Sequence, residues 1–209
     1  MRKNIWDFWA GHYDRLWVQR VSLGPTRRAI IKNLPLRSGL RILDVGCGTG
    51  QLLGDLKTHF GRTAFSYRGI DKSGGMIEAA RLKFPDGDFL VGSSDIQNSA
   101  GAVYDVIICA HSFPYFTDKA RVLGRLQRLL SSGGVLMIAQ ASMNNLYDVL
   151  ALSIVKITTS EAEYPGRRRM RAMAEPIFHL MPEETRISPN IFIPSIYLFK
   201  WIKKEWVLT

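Results

Sequence analysis

Cysteine is scarce: the 209 residues hold two, Cys47 and Cys109. Two thiols cannot make the framework of a disulfide-stapled secreted domain, and a chain of this length buries about 70 % of its unfolded surface without staples. Both are read as small buried packing residues, reduced in a cytoplasm. Long apolar runs are absent too. Stretches such as 149–155 stop far short of the ~20 residues that cross a bilayer. In the first ten residues aromatic and charged groups interrupt what a secretory signal would need as a continuous apolar core. There is no internal repeat and no low-complexity linker. His12, His59 and His179 have no metal-ligand spacing with cysteine or carboxylate, so no metal site is expected. What remains is an ordinary globular composition, 46 % hydrophobic and 22 % charged. The length favours one domain.

Acidic residues are outnumbered, 18 against 28 basic, for a net charge of +10. The imbalance is local. Residues 1–37 carry eight basic and two acidic side chains, whereas 38–159 carry twelve and ten. Residues 160–209 carry eight and six, with a compact run at Arg167, Arg168, Arg169 and Arg171. Such patches attract nucleic acid, anionic membrane surfaces or acidic substrates, and they equally occur as solvated faces with no partner.

The chain opens on an aromatic stripe. Ile5, Trp6, Trp9, Tyr13, Leu16 and Trp17 recur at helical spacing, which predicts one helix broken at Gly24-Pro25 and a second over 26–34. From residue 40 strands and helices alternate. Strands are expected over 40–45, 65–70, 88–91, 104–109 and 135–140, the last after a turn at Gly133-Gly134. Helices are expected over 52–60, after Ser73 and after Asp118. This alternation implies a parallel sheet with helices on both faces. Its ligand belongs beyond the carboxyl ends of the strands, near the switch in strand order. Helices over 145–158 and roughly 167–174 interrupt the rhythm. The stretch 186–206 reads as two strands joined near Pro194-Ser195, forming an antiparallel edge.

The segment Asp44-Val45-Gly46-Cys47-Gly48-Thr49-Gly50 lies between a strand and a helix. Glycines there let the backbone turn sharply and approach a ligand, and the helix amides that follow favour an anionic or polar group. A second acid, Asp71, ends the next strand, where a carboxylate can accept both hydroxyls of a ribose. The spacing G-x-G-x-G is not the dinucleotide G-x-G-x-x-G. Gly50 is followed by Gln51 and Leu52, not by the Lys-Ser/Thr of a P-loop. Phosphate cradling is therefore poorly supported.

These residues resemble the class I S-adenosylmethionine-dependent methyltransferases. Ile42 to Gly50 is similar to the family's first motif. Gly69-Ile70-Asp71-Lys72-Ser73 with Met76 is similar to the second, and Tyr104 to Ile108 to the fourth strand. Phe116 to Asp118 and Leu129 to Leu136 resemble the helix-turn-strand pattern of the small-molecule branch. Trp9-Ala10-x-x-Tyr13-Asp14 resembles that branch's lid helix. Ser112-Phe113-Pro114-Tyr115 is a poorer match to the N-P-P-Y motif of amino-group methyltransferases.

The resemblance implies S-adenosylmethionine as cofactor and assigns roles residue by residue. Gly46, Cys47 and Gly48 would pack against its amino-acid part, with Asp44 orienting the loop and the ammonium. Asp71 would bind the ribose, while Lys72 and Met76 flank the adenine. Asp95 with Ile96 would contact the adenine edge, although Ser93 and Ser94 stand where the family has an acid, so Ser94 is the alternative to Asp95. Ala110 and His111 would line the methionine end, and Tyr13 could close over the cofactor. His111 is also the candidate catalytic group, since an imidazole titrates near neutral pH; the alternative is a residue whose main chain merely lines the site.

The expectation is therefore a single α/β domain over 1–209. It is a Rossmann-like three-layer sandwich with a seven-stranded, mostly parallel sheet and an antiparallel edge strand. Residues 1–37 form a helical lid, 38–142 the cofactor core, 143–180 an acceptor-side insertion and 181–209 the last strands. The expected acceptor is small or amphipathic: a metabolite, a quinone precursor or a lipid head group. The alternatives are RNA, or cofactor binding without catalysis. The basic segments add an expectation of weak attachment to anionic membrane surfaces, so that a cytoplasmic protein would be peripheral to a membrane.

Overall fold

The computed structural model describes residues 5–61, 65–92, 103–159, 162–178, 182–187 and 193–203. Strands β1 (Leu40–Val45), β2 (Phe65–Asp71), β3 (Asp88–Val91), β4 (Tyr104–Ala110), β5 (Leu130–Ala141), β6 (Glu183–Arg186) and β7 (Ile196–Ile202) form one sheet. Their order is β3-β2-β1-β4-β5-β7-β6. The first five run parallel; β7 is antiparallel to β5, and β6 to β7. The expected architecture is present.

Strand order places the crevice. From β1 the chain passes through α3 (Gln51–Phe60) to β2 on one side, and from β4 through α5 (Lys119–Leu129) to β5 on the other. The connections leave β1 and β4 in opposite directions, so the loops beyond these two neighbouring strands part and leave a gap between them.

Alternation along the strands builds a core on each face. In β4, Val106 and Ile108 pack with Ile30 of α2 (Gly24–Lys32) and with Leu52 and Leu56 of α3. Ile107 and Cys109 pack with Leu123 and Leu126 of α5 and Met170 of α7 (Arg167–Phe178). All six side chains from Tyr104 to Cys109 are buried, as a strand covered on both faces requires. Each large aliphatic among them contributes on the order of 1.5–3 kcal/mol by leaving water. Helix starts follow local chemistry: the side chain of Ser73 accepts from the Met76 amide to cap α4 (Gly74–Lys83), and that of Asp118 accepts from the Arg121 amide to cap α5.

The N-terminal segment differs from its expected form. The single long helix is three pieces: α1 (Ile5–Trp9), a 3-10 turn at Tyr13–Arg15, and a π-helical turn at Gln19–Leu23 that runs directly into α2. Gly24-Pro25 does not break the chain there. Pro25 sits in the first turn of α2, where a missing N–H is tolerated, and the Gly24 amide reaches back to the Gln19 carbonyl. At the other end, β5 begins at Leu130 and runs through Gly133-Gly134 rather than after them. Helix α7 continues past 174 and through Pro176; Phe178, in its last turn, stacks on Trp201 at 5.7 Å. The first of the two late strands, β6, ends at Arg186, where the expected stretch begins. Its sequence, Glu-Glu-Thr-Arg, carries no apolar alternation, and it is held as a charged edge, with Lys200 of β7 paired to Glu183.

At the opposite end of the sheet from the crevice, Asp105 accepts from the Arg41 amide at 2.9 Å and from the Arg41 side chain, and pairs with Arg37 at 2.8 Å. The Arg41 hydrogen bonds hold its carboxyl at about 2, below the ordinary 3.8. The folded state thus binds this proton less readily than the unfolded chain does. The stabilisation is complete above about pH 4 and is lost as the pH falls towards 2. Acid unfolding followed by circular dichroism should show a shallower stability slope over that window for Asp105→Asn than for wild type.

Candidate functional site

Loops beyond β1, β2 and β4, with the N-terminal segment above them, surround a cavity of about 330 Å³. Gly46, Gly48 and Gly50 all have left-handed backbones, at φ of 80°, 54° and 76°. The amides of Gly46 and Cys47 both donate to the Ile70 carbonyl, at 2.7 and 3.1 Å, which folds the loop over the end of β2. A side chain at Gly46 would strike Ser112, whose hydroxyl donates to the Val45 carbonyl and so ties the β4 loop to β1.

Asp71 lies at the centre of this arrangement. One of its oxygens accepts from the Gly48 amide and the other from the Ser73 amide, each at 2.9 Å. Each carboxylate oxygen has two acceptor sites, so among the described residues both keep one for a ligand hydroxyl. Asp44 sits beneath the loop and is buried. Its Oδ2 accepts from the Tyr67 hydroxyl at 2.8 Å, while its buried Oδ1 has no partner among the described residues. Burial, more than the nearby Asp71 charge, raises its carboxyl to about 7.

The roof is aromatic and is pinned at two points. Trp6 meets Tyr13 edge-on at 6.2 Å and Tyr115 at 5.4 Å, and Lys72 lies 5.8 Å from the Tyr115 ring centroid. Asp7 accepts from the Ser73 hydroxyl at 2.5 Å and the Gly75 amide at 3.1 Å, at the start of α4. Asp14 accepts from Thr49 and Gln51, both at 2.6 Å, at the start of α3, and also pairs with Lys83. Each carboxylate therefore rests on a helix N-terminus, where negative charge is favoured. Burial raises the Tyr13 hydroxyl to about 12, with the Asp71 charge adding to it, so the phenol stays protonated.

Of the residues singled out in sequence, Tyr13, Gly46, Gly48, Asp71, Lys72, Met76, Ala110 and His111 line the cavity. Cys47 does not: its side chain packs with Leu53, Ile77, Ala80 and Phe89, and its thiol donates to the Gly48 carbonyl of the loop at 3.7 Å. Asp44 lies under the loop rather than on the wall. Ser94, Asp95 and Ile96 fall outside the described residues. Sequence reasoning missed Trp6 as a cavity residue, and missed Arg121 and Arg125, which line the cavity one turn apart on α5.

The insertion is placed differently from expectation. Among its described residues none lines the cavity. It backs the 112–117 loop instead: the Glu163 amide donates to the Pro114 carbonyl, and Tyr115 packs against Leu152, Ala162 and Tyr164. The buried Lys119 joins the two, bonding the Phe116 carbonyl at 2.8 Å and Glu163 at 3.2 Å. The arginine run also lies away from the cavity. Arg167 and Arg171 pair with Glu184, and Arg169 with Glu163.

A left-handed glycine loop after the first strand, a strand-end carboxylate with spare acceptors, and an aromatic roof over the switch point define a class of protein: the Rossmann-like enzymes of the class I S-adenosylmethionine-dependent type. Residues 36–186 match the family model described as a methyltransferase domain, and the chain belongs to that family. S-adenosylmethionine is accordingly its cofactor. The residues suit it: Asp71 lines the cavity with acceptor capacity that two ribose hydroxyls could use, and beneath the glycine loop Asp44 keeps a buried Oδ1 with no partner among the described residues.

Among curated relatives, the ubiquinone/menaquinone biosynthesis C-methyltransferase of Campylobacter jejuni is 24 % identical over 113 residues, 53 % of this chain and 48 % of that protein. The ubiquinone biosynthesis O-methyltransferase of a Bradyrhizobium species is 29 % identical over 156 residues, 73 % of this chain and 57 % of that one. The chain thus spans about half the length of these relatives. Among solved structures, the Haloferax volcanii putative methyltransferase in complex with the Trm112 activator covers 98 % of this chain and 100 % of its own, with a TM-score of 0.80 and 18 % identity. The plantazolicin methyltransferase BpumL in complex with SAH covers 94 % and 89 %, with a TM-score of 0.69 and 17 % identity.

Proposed function

We propose that the chain transfers the methyl group of S-adenosylmethionine to a small or amphipathic acceptor: a metabolite, a quinone precursor or a lipid head group. The observation that carries this reading is the continuity of the cavity. The Gly46–Asp71 wall and the Trp6, Tyr115, Phe116 and His111 wall bound the same space. A volume of about 330 Å³ suits a small ligand between aromatic walls, as in most small-molecule sites. The quinone-pathway names of the two relatives support such an acceptor. Contacts of the arginine run with Glu184 and Glu163 weigh against the RNA alternative, because three of its four side chains are engaged by these two carboxylates, although Arg167 and Arg171 share Glu184 and Glu163 also pairs with Lys119.

The bound sulfonium supplies an electrophilic methyl group. The protein's part is to orient, to exclude water and to hold a proton acceptor nearby. Asp71 fixes the ribose, Asp44 steadies the loop and the ammonium, and Trp6 and Tyr13 cover the reacting space. His111 takes the proton that an acceptor hydroxyl or amine gives up. The test is transfer from cofactor labelled in its methyl group, read in metabolite, lipid and RNA fractions. Label in RNA alone would overturn the acceptor class, and saturable binding with no transfer to any fraction would overturn the enzymatic reading.

The two pins on the roof give a further expectation. Hydrogen exchange over residues 5–20 should slow when S-adenosylhomocysteine is added, because the ligand fills the space under Trp6 and Tyr13. Asp14→Ala removes the roof's attachment to α3, so exchange there should rise about tenfold with or without ligand. Equal protection in all four samples would make the segment a fixed packing element.

A further inference from the structure

Thr26 lies in the first turn of α2 and is fully buried, 85 residues in sequence from its partner His111. Its Oγ1 is 2.9 Å from the Ser22 carbonyl oxygen and 2.9 Å from His111 Nε2. A hydroxyl has one proton to give. A carbonyl oxygen can only accept, so both contacts are hydrogen bonds only if Thr26 donates to Ser22. The Thr26 oxygen is then an acceptor towards the imidazole, and Nε2 must carry the proton. Ser22 belongs to the π-helical turn that feeds α2, a distortion that recurs near functional sites.

The backbone of His111 is held as firmly. Its amide donates to the Ala139 carbonyl at 2.7 Å. Its φ is 59°, left-handed, and no other non-glycine among the described residues shares that sign. A strained backbone of this kind persists where its neighbours over-determine it. His111 is among the residues that line the cavity. With Nε2 turned to Thr26, the only lone pair the ring can offer a ligand is that of Nδ1.

We propose that Thr26 is a positioning residue for methyl transfer: by giving its own proton to Ser22, it holds His111 as the Nε2–H tautomer and leaves Nδ1 as the basic nitrogen. Thr26's part in catalysis rests on the proposed function; the tautomer does not. As the methyl carbon leaves sulfur, which keeps the electron pair, its bond to the acceptor atom forms. The proton displaced from that atom passes to Nδ1, giving an imidazolium. Burial, with Arg27 adding to it, lowers the His111 imidazole to about 4, so the lone pair is present at neutral pH before the step.

The test is a long-range proton–nitrogen spectrum of histidine-labelled full-length protein saturated with S-adenosylhomocysteine, with His111→Gln used to assign the signal. Wild type and Thr26→Ser should show the Nε2–H pattern at His111. Thr26→Val, close in shape but without the hydroxyl, should lose it. S-adenosylhomocysteine affinity should stay within about twofold across the three. With the acceptor found by the labelling assay, kcat of Thr26→Val should fall at least tenfold and that of Thr26→Ser should recover. An Nδ1–H pattern in wild type, or an unchanged Nε2–H pattern in Thr26→Val, overturns the inference. A lost pattern with unchanged kcat overturns Thr26's part in catalysis. Absence of transfer by wild type overturns the proposed function, and the spectrum judges the tautomer separately.

Discussion

Gly46→Ala is expected to abolish measurable binding of S-adenosylhomocysteine and to destabilise the fold. Two independent costs coincide at this residue. Its φ of 80° is one that an L-residue adopts at a cost of about 1–2 kcal/mol. A Cβ there would also lie 2.2 Å from the Ser112 Cβ, far inside van der Waals contact. Ser112 cannot simply withdraw, because its hydroxyl donates to the Val45 carbonyl and its carbonyl accepts from the Tyr115 amide. Overpacking of a fixed neighbour adds about 1–3 kcal/mol. Relief requires the loops after β1 and β4 to part, and these loops form the cofactor wall. Gly39→Ala provides the control: its φ is 71°, but nothing lies within 4 Å of its Cβ position, and it stands at the far end of β1. That variant should lose about 1 kcal/mol in denaturant unfolding and no affinity. Combining Gly46→Ala with Ser112→Gly should restore part of the stability. Equal losses in the two single variants, with affinity intact in both, would refute the steric account.

What the sequence reveals and what it hides divide along the range of the interactions. The β4 run, the caps Ser73 and Asp118 and the glycines before α3 are legible because the partners lie within a few residues or the whole segment shares one environment. The aromatic stripe misleads for the opposite reason. Trp6 and Tyr13 recur at helical spacing, yet they meet edge-on across a chain that turns between them, and their common surroundings are a cavity rather than a helix face. β6 carries no pattern to find, because both its faces are charged or polar. The arginine run at 167–171 reads as an open basic patch until tertiary structure sets Glu184 and Glu163 against it. Thr26 has no signature at all: its role depends on His111, on another element, and on the proton it owes Ser22. Cys47 shows a subtler limit. Its place in the motif is legible, but not that its side chain turns from the cavity into the core beside Leu53, Ile77 and Phe89, where the thiol braces the loop through the Gly48 carbonyl.

Asp71→Ala should weaken S-adenosylhomocysteine by roughly tenfold to a hundredfold in calorimetry. The range follows from losing hydrogen bonds to a charged group, about 1.5–3 kcal/mol. The structure complicates that variant, since removing the carboxylate also orphans the amides of Gly48 and Ser73. Part of the loss would then come from a loosened loop and not from the ribose. A double-mutant cycle separates the two. Wild type and Asp71→Asn are each titrated with S-adenosylhomocysteine and with its 2′-deoxyribose analogue. In Asp71→Asn the side-chain oxygen can still accept from one of the two amides, so much of the loop's support remains. If Asp71 holds the ribose, the analogue costs wild type on the order of tenfold and costs the variant much less. A coupling near zero would mean that Asp71 acts only as a brace between β2, the glycine loop and α4. Tighter binding of NAD than of S-adenosylmethionine would overturn the cofactor assignment itself. Burial raises the Asp71 carboxyl, against the pull of the Ser73 and Gly48 amides and of Lys72, so hydroxyls that donate to it favour the ionised form. Cofactor affinity of wild type should therefore fall as the pH drops through the carboxylate range, and the part of that fall due to Asp71 should vanish in Asp71→Asn.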